Sequence, residues 1–150
     1  MIKIFIDADA CPVKEEVYKV SIRNKLEVLI VSNGGIRPHP NPLIKSIFVG
    51  NRFNEADEYI LKMVSKDDIV ITNDIPLAAD CIKKGAIIIK QNGNVLNENN
   101  IANELSKRNL MTEIRAANPF MNSKGKPFSN TDKSNFLNEL EAQIRYLMKK

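Results

Sequence analysis

The chain is poor in the residues on which many catalytic sites depend. Its 150 residues include two cysteines, Cys11 and Cys81, a single histidine, His39, and no Cys-x-x-Cys pair. That leaves no basis for a zinc site of the usual nitrogen and sulfur ligands. Two thiols without an export signal argue for a reducing compartment and against a disulfide framework. No apolar stretch approaches the roughly 18 residues needed to span a bilayer. The opening MIKIFIDADACP reaches two acids by residue 9, so it lacks the basic and long apolar regions of a secretory signal. The expected location is the cytoplasm. With catalytic nitrogen and sulfur so scarce, any bound metal must rely on oxygen ligands, which suits Mg2+ or Mn2+.

What is present describes an ordinary globular protein. Hydrophobic residues make up 43% and charged residues 27%, and the length suffices for one domain, 1–150, with a proper core. The net charge of +4 is unevenly placed. Residues 1–100 carry 13 Lys/Arg against 13 Asp/Glu, whereas residues 101–150 carry 9 against 5. The basic excess therefore belongs to the C-terminal third, and the acids that can bind metal belong to the rest. The split fits an acidic site bordered by a phosphate-attracting surface, or simply a basic solvated tail.

Apolar runs alternate with amphipathic stretches, which predicts βαβ units and a mostly parallel sheet. Strands are expected at Ile2–Ile6, Val28–Val31, Ile47–Val49, Ile69–Thr72 and Ala86–Ile89. Helices are expected from Pro12 to about Asn24, over 54–65, over 75–84 with Gly85 as C-cap, and from about Asn99 to Lys107. The segment SNGGIRPHPNP reads as a loop and QNGN as a turn. Residues 110–131 read as irregular, with turns at Asn118-Pro119, Lys124-Gly125 and Lys126-Pro127. Thr131 or Asp132 is expected to cap a last helix reaching about Met148, packed through Phe136, Leu137, Leu140, Ile144 and Leu147. The fold class is thus α/β, three layers about a central sheet of about five strands, with 110–150 supplying a basic loop and a C-terminal helix packed on it.

Ligands of open parallel sheets bind at the carboxyl ends of the strands. The first strand leaves through Asp7-Ala8-Asp9, two carboxylates on one side of an extended chain. The fourth leaves through Thr72-Asn73-Asp74. Asp9 and Asp74 also suit helix caps, but two strands of one presumed sheet that both end in aspartate would converge their acids on one edge. On the intervening helix, Asp57 shares a face with Ile60, Leu61 and Val64, so it points toward the sheet, where a carboxylate needs a partner or a metal. Glu58 is expected to pair with Lys62, and Glu55 has no evident partner. Asp80 can pair with Lys83 or Lys84, or lean back toward Asp74. Gathered carboxylates repel, and a divalent cation reverses that interaction. Two cations about 4 Å apart can drive an in-line phosphoryl displacement without a His, Ser or Cys nucleophile. His39 is then a loop residue, and Cys11 is a small buried one.

The segments FIDADACPVKEEVY, FNEADEYI, DIVITNDIPLAADCIKKGA and GKPFSNTDKSNFL, in that order from about residue 3 to residue 140, resemble the bacterial YaiI/YqxD family, which is placed with the PIN-like nuclease superfamily. The resemblance implies metal-ligand roles for Asp7, Asp57 and Asp74, with Asp9 and Asp80 contributing. Thr72 matches a small hydroxyl residue that precedes the strand-end acid. Asn33, Arg115, Lys126, Phe128, Asp132 and Phe136 match positions of the family pattern that carry no assigned chemistry. The helix motif departs from an expected Phe-Asp-Ala-Ala-Asp-Asp, having Asn54, Glu55 and Glu58 around Asp57.

Three functions are compatible with these residues. The first is a divalent-metal-dependent nuclease acting on RNA or on single-stranded or flapped DNA. Its metals are held by Asp7, Asp57, Asp74 and Asp80, and Asp7, Asp9, Asp57 and Asp74 form the catalytic set. Nucleic acid is the partner, held by Lys14, Asn33, Arg37, Thr72, Arg115, Lys124, Lys126 and Lys133. The second is a haloacid-dehalogenase-type phosphatase using Asp7 and Asp9. Cys11 stands where such an enzyme has Thr or Val, and Asp57 is then left without a role. The third is a non-catalytic RNA- or protein-binding module with a structural metal.

Overall fold

A computed structural model describes residues 2–8, 11–50, 54–117 and 127–150, apart from the side chain of residue 115. The expected acid Asp9, the basic residues Lys124 and Lys126, the side chain of Arg115 and the turns of 118–126 lie outside the described residues.

The chain runs β1 Lys3–Asp7, α1 Lys14–Arg23, β2 Glu27–Ser32, β3 Ile44–Phe48, α2 Glu55–Met63, β4 Ile69–Ile71, α3 Ile75–Lys83, β5 Ile87–Ile89, β6 Val95–Leu96, α4 Ile101–Ala117 and α5 Asn130–Met148. The strands form one sheet in the order β3-β2-β1-β4-β5-β6. All neighbours pair in parallel except β5 and β6, which are antiparallel. β1 is central because its residues suit no other place: Ile4, Phe5 and Ile6 are wholly buried, and strands covered on both faces read as continuous apolar runs.

Alternation along the strands divides the core in two. Ile4, Ile6, Val28, Ile30, Ile69 and Ile71 face α1 and α5, meeting Val17, Val20, Phe136, Leu140 and Ile144. Phe5, Leu29, Val31, Val70 and Ile88 face the other way, onto Ile60 of α2 and Leu77, Ala78 and Cys81 of α3, with Ile101 and Leu105 of α4 beside them. The result is the expected three-layer α/β/α arrangement. Ion pairs from Arg23 to Glu141 and from Lys133 to Glu16, the latter at 3.2 Å, tie α5 to α1.

Several boundaries differ from expectation. β3 begins at Ile44, not Ile47, because an edge strand needs only one covered flank and tolerates exposed Lys45 and Ser46. A sixth strand, β6, follows the QNGN turn as the return arm of a hairpin. Its two residues are too few for a periodic signal. Gly93 within that turn has φ +96, and a Cβ there would lie 2.7 Å from the backbone of Asn135, so α5 passes where only glycine fits. α4 continues to Ala117, although its apolar stripe fades after Leu105. Arg, Leu, Met, Glu and Ala are good helix formers, and 110–117 stay helical although none of their described side chains is buried. The cap of α5 is Ser129, neither Thr131 nor Asp132. Ser129 Oγ accepts the Asp132 N–H at 3.1 Å, and Asp132 Oδ2 accepts the Ser129 N–H at 3.0 Å. That capping box gives Asp132 its work, and Phe136 belongs to the core.

Candidate metal centre

In this strand order the chain leaves β1 in one direction to make β2 and β3, and in the other to make β4 and β5. The crevice beyond the carboxyl ends of β1 and β4 is therefore the switch point at which open α/β sheets bind ligands. Asp7 ends β1, and Thr72-Asn73-Asp74 leaves β4 beside it.

A buried hydroxyl joins the two exits. Thr72 Oγ1 donates to Asp7 Oδ2 at 3.0 Å and accepts the backbone N–H of Asp74, also at 3.0 Å. Thr72 is fully buried, so it is a positioning residue and cannot meet a substrate directly. Asp74 caps α3, its Oδ1 accepting the Leu77 N–H at 3.0 Å, with Pro76 at the helix start. The capping role and a ligand role are compatible, because Oδ2 is not the atom that caps. Asn73 ties this exit to the next. Its Oδ1 accepts the Gln91 N–H at 3.0 Å, and its amide donates to Gln91 Oε1 at 3.3 Å.

A cavity of about 410 Å³ opens here between α2 and α3. Asp57 and Glu58 line it from the first turn of α2, Asp74 and Asp80 from α3, and Arg108 from α4. Asp57 is half-buried, at the rim of the sheet-facing side. Asn54, at the head of α2, holds φ +69, a left-handed conformation that asparagine tolerates better than most residues. Asp80 lines the same cavity as Asp74. Lys84 turns elsewhere, its Nζ donating to the Leu61 carbonyl at 2.6 Å. Glu58 and Lys62 make no ion pair, and Glu58 faces the cavity.

The structure thus brings Asp57, Asp74 and Asp80 to one cavity and ties Asp7 to the same turn through Thr72. The donors are oxygen throughout, the set that suits a hard divalent cation. Among the described residues, however, no group of three or more His, Cys, Asp or Glu side chains is set to hold a metal ion. The cavity is a collection of donors, not a finished coordination sphere.

The basic residues expected at the substrate are dispersed. Asn33 is exposed just beyond β2. Lys14 and Arg37 line a different cavity, described below. Lys133 is engaged with Glu16, an α1–α5 tie and not a free cation. Phe128 is partly exposed ahead of α5. Arg108 escaped the sequence reading. It lies three residues beyond Leu105 and seven beyond Ile101, on the side of α4 that meets α3, and that spacing was the available signal.

Both thiols are buried, as expected for Cys11. Burial pushes its ionisation up, only partly opposed by the Val13 N–H and Lys14. Burial, with the charge of Asp80 adding to it, pushes Cys81 up to about 12. Neither is a thiolate nucleophile at neutral pH.

A three-layer α/β/α protein with a carboxylate-lined cavity at its switch point is the class that fold and site define. The chain belongs to the uncharacterised YaiI/YqxD family, whose profile matches residues 5–146. A UPF0178 protein of Roseobacter denitrificans is 46% identical over 145 residues, covering 97% of this chain and 96% of its own. One from Cereibacter sphaeroides is also 46% identical, covering 97% and 90%. One from Rhodopseudomonas palustris is 43% identical over 148 residues, covering 99% and 93%. None of the solved structures compared with the chain matches it. No helix among the described residues is long and apolar enough to cross a membrane.

Proposed function

We propose that the protein is a divalent-metal-dependent nuclease of PIN-like type, hydrolysing phosphodiester bonds of RNA or of single-stranded or flapped DNA. The observation that carries this reading is the convergence of Asp57, Asp74 and Asp80 on one switch-point cavity, with Asp7 held beside them by Thr72. Asp7, Asp57, Asp74 and Asp80 would hold Mg2+ or Mn2+, with Asp9 contributing. When bound, the cation supplies activation of water and neutralisation of charge on the phosphate.

The chain's own residues do the rest. Thr72 donates to Asp7 and so fixes its orientation. The cap bond from Leu77 fixes the rotamer of Asp74, leaving its second oxygen for a ligand. Arg108 is the guanidinium on the cavity wall that a phosphate oxygen would meet.

The test is cleavage of end-labelled single-stranded RNA and flapped DNA by the purified chain, with Mn2+ and with chelator. Cleavage should require the metal and fall about a hundredfold in Asp57→Asn, the scale of losing one electrostatic contributor. Asp7→Asn should abolish it while the protein stays folded. Undiminished cleavage by both variants would remove the proposal. Tight Mn2+ binding without turnover on any nucleic acid would instead favour a binding module, and turnover of phosphomonoesters alone a phosphatase.

A further inference from the structure

A second cavity, of about 280 Å³, lies on the α1 layer, away from the acidic cavity between α2 and α3. Its walls are the first two turns of α1 and the loop that follows β2. Lys14 and Tyr18 line it from the helix, Arg37 and His39 from the loop.

The groups presented there are almost all donors. Neither Lys14 nor Arg37 has an ion-pair partner among the described residues. His39 Nδ1 accepts the Asn41 N–H at 3.0 Å, so the proton of the neutral imidazole belongs on Nε2, which is then a donor. The His39 ring stands edge-on to Tyr18, with centroids 5.0 Å apart. Burial, followed by the charge of Glu15, pushes the Tyr18 hydroxyl up to about 12, so it remains a donor at neutral pH. Glu15, exposed on the helix, is the one carboxylate on the wall among the described residues.

The loop is held in shape. Pro38 and Pro40 restrict the backbone on either side of His39. Ile36 packs against the α1-side core, and Asn41 Oδ1 accepts the Leu43 N–H at 2.9 Å. An ammonium, a guanidinium fork, an imidazole N–H and a phenol around one small volume match a compact dianion with several oxygens. A phosphate group has that chemistry.

We propose that the cavity lined by Lys14, Tyr18, Arg37 and His39 binds a phosphate group, and that its ligand is a phosphomonoester, the terminal phosphate of a nucleic-acid strand or of a free nucleotide. The site does not depend on the nuclease reading, and loss of cleavage leaves it intact.

His39 is the single histidine of the chain, so its imidazole proton resonances report this cavity without further assignment. Inorganic phosphate, titrated into the full chain at constant ionic strength with chloride as the matched control, should shift those resonances saturably. Arg37→Ala and Lys14→Ala should each raise the midpoint about tenfold, the scale of one charge-assisted contact. A 5′-phosphorylated oligonucleotide that binds more tightly than its 5′-hydroxyl twin identifies a strand terminus as the ligand. A mononucleotide that equals it identifies a free phosphate ester. No shift with phosphate, or a shift that survives both substitutions unchanged, overturns the proposal.

Discussion

β4 is flanked by an aspartate at each end, and the two do different work. At its amino end Asp68 is 2% exposed. Its Oδ1 accepts the Lys3 N–H at 3.0 Å and its Oδ2 the Ser65 N–H at 2.9 Å, so the protein itself satisfies both oxygens. Next to it Asp67 meets Lys150 at 3.2 Å. At the carboxyl end Asp74 spends one oxygen on its helix and shares an open cavity with Asp57 and Asp80. One end of the sheet uses carboxylates to pin strands together, and the other gathers them with Arg108 as the one cation on the same wall among the described residues. Parallel strands explain the division. Every crossover helix begins above the carboxyl edge, so helix N-termini and the acids near them accumulate there, while the amino edge receives helix ends and tight turns.

Exchanging functions across this divide is the sharpest way to test it. Asp68→Ala strips the partners from two backbone N–H groups at once and should cost about 3 kcal/mol in chemical denaturation, the scale of lost hydrogen bonds to a charged group. Mn2+ affinity, measured by calorimetry on the same variant while still folded, should not change. A stable Asp68→Ala protein would mean that the amino edge does not depend on its carboxylates. Thr72→Val should have a mixed effect. It removes the donor to Asp7 and the acceptor of the Asp74 N–H, costing about 1.5 kcal/mol in stability. It should also weaken Mn2+ binding, because Asp7 loses its fixed orientation. A change in stability alone would assign Thr72 to the fold and separate it from the site.

The smallest effect should come from the carboxyl end itself. Asp74→Ala should cost about 1 kcal/mol through loss of the α3 cap, whereas Asp74→Asn, which keeps a capping oxygen, should cost only a few tenths. Both should weaken Mn2+ binding equally if the charge of Asp74 serves the cation. If Asn restores metal affinity along with stability, Asp74 is a cap and nothing more.

The legible part of this protein follows from local signals. β1, β2, β4 and β5 were visible as apolar runs because they are covered on both faces. The stripe of Phe136, Leu140, Ile144 and Leu147 marked α5 because all four enter the core. Asp7 and Asp74 stood out because they follow such strands directly. What escaped had no local signature. β6 is two residues long, and the described side chains in the outer half of α4 are largely exposed, which imposes no stripe. Ser129 was overlooked because Thr131 and Asp132 are equally good caps as isolated residues, and the reciprocal bond to Asp132 decides between them. Arg108 lies in a helix remote in sequence from the acids it joins.

The order of residues alone was therefore enough to determine an α/β chain with a mostly parallel sheet, buried strands and aspartates at two strand ends. Burial and periodicity are properties of short segments, and each segment carries its own record of them. Only the tertiary structure decided which charges keep company. Asp57 and Asp80 reached Asp74 through the packing of α2 and α3 on the same face, and Lys14 reached Arg37 and His39 through the path of one loop over α1. Those meetings depend on how whole layers stack on the sheet, a property that no stretch of sequence holds by itself.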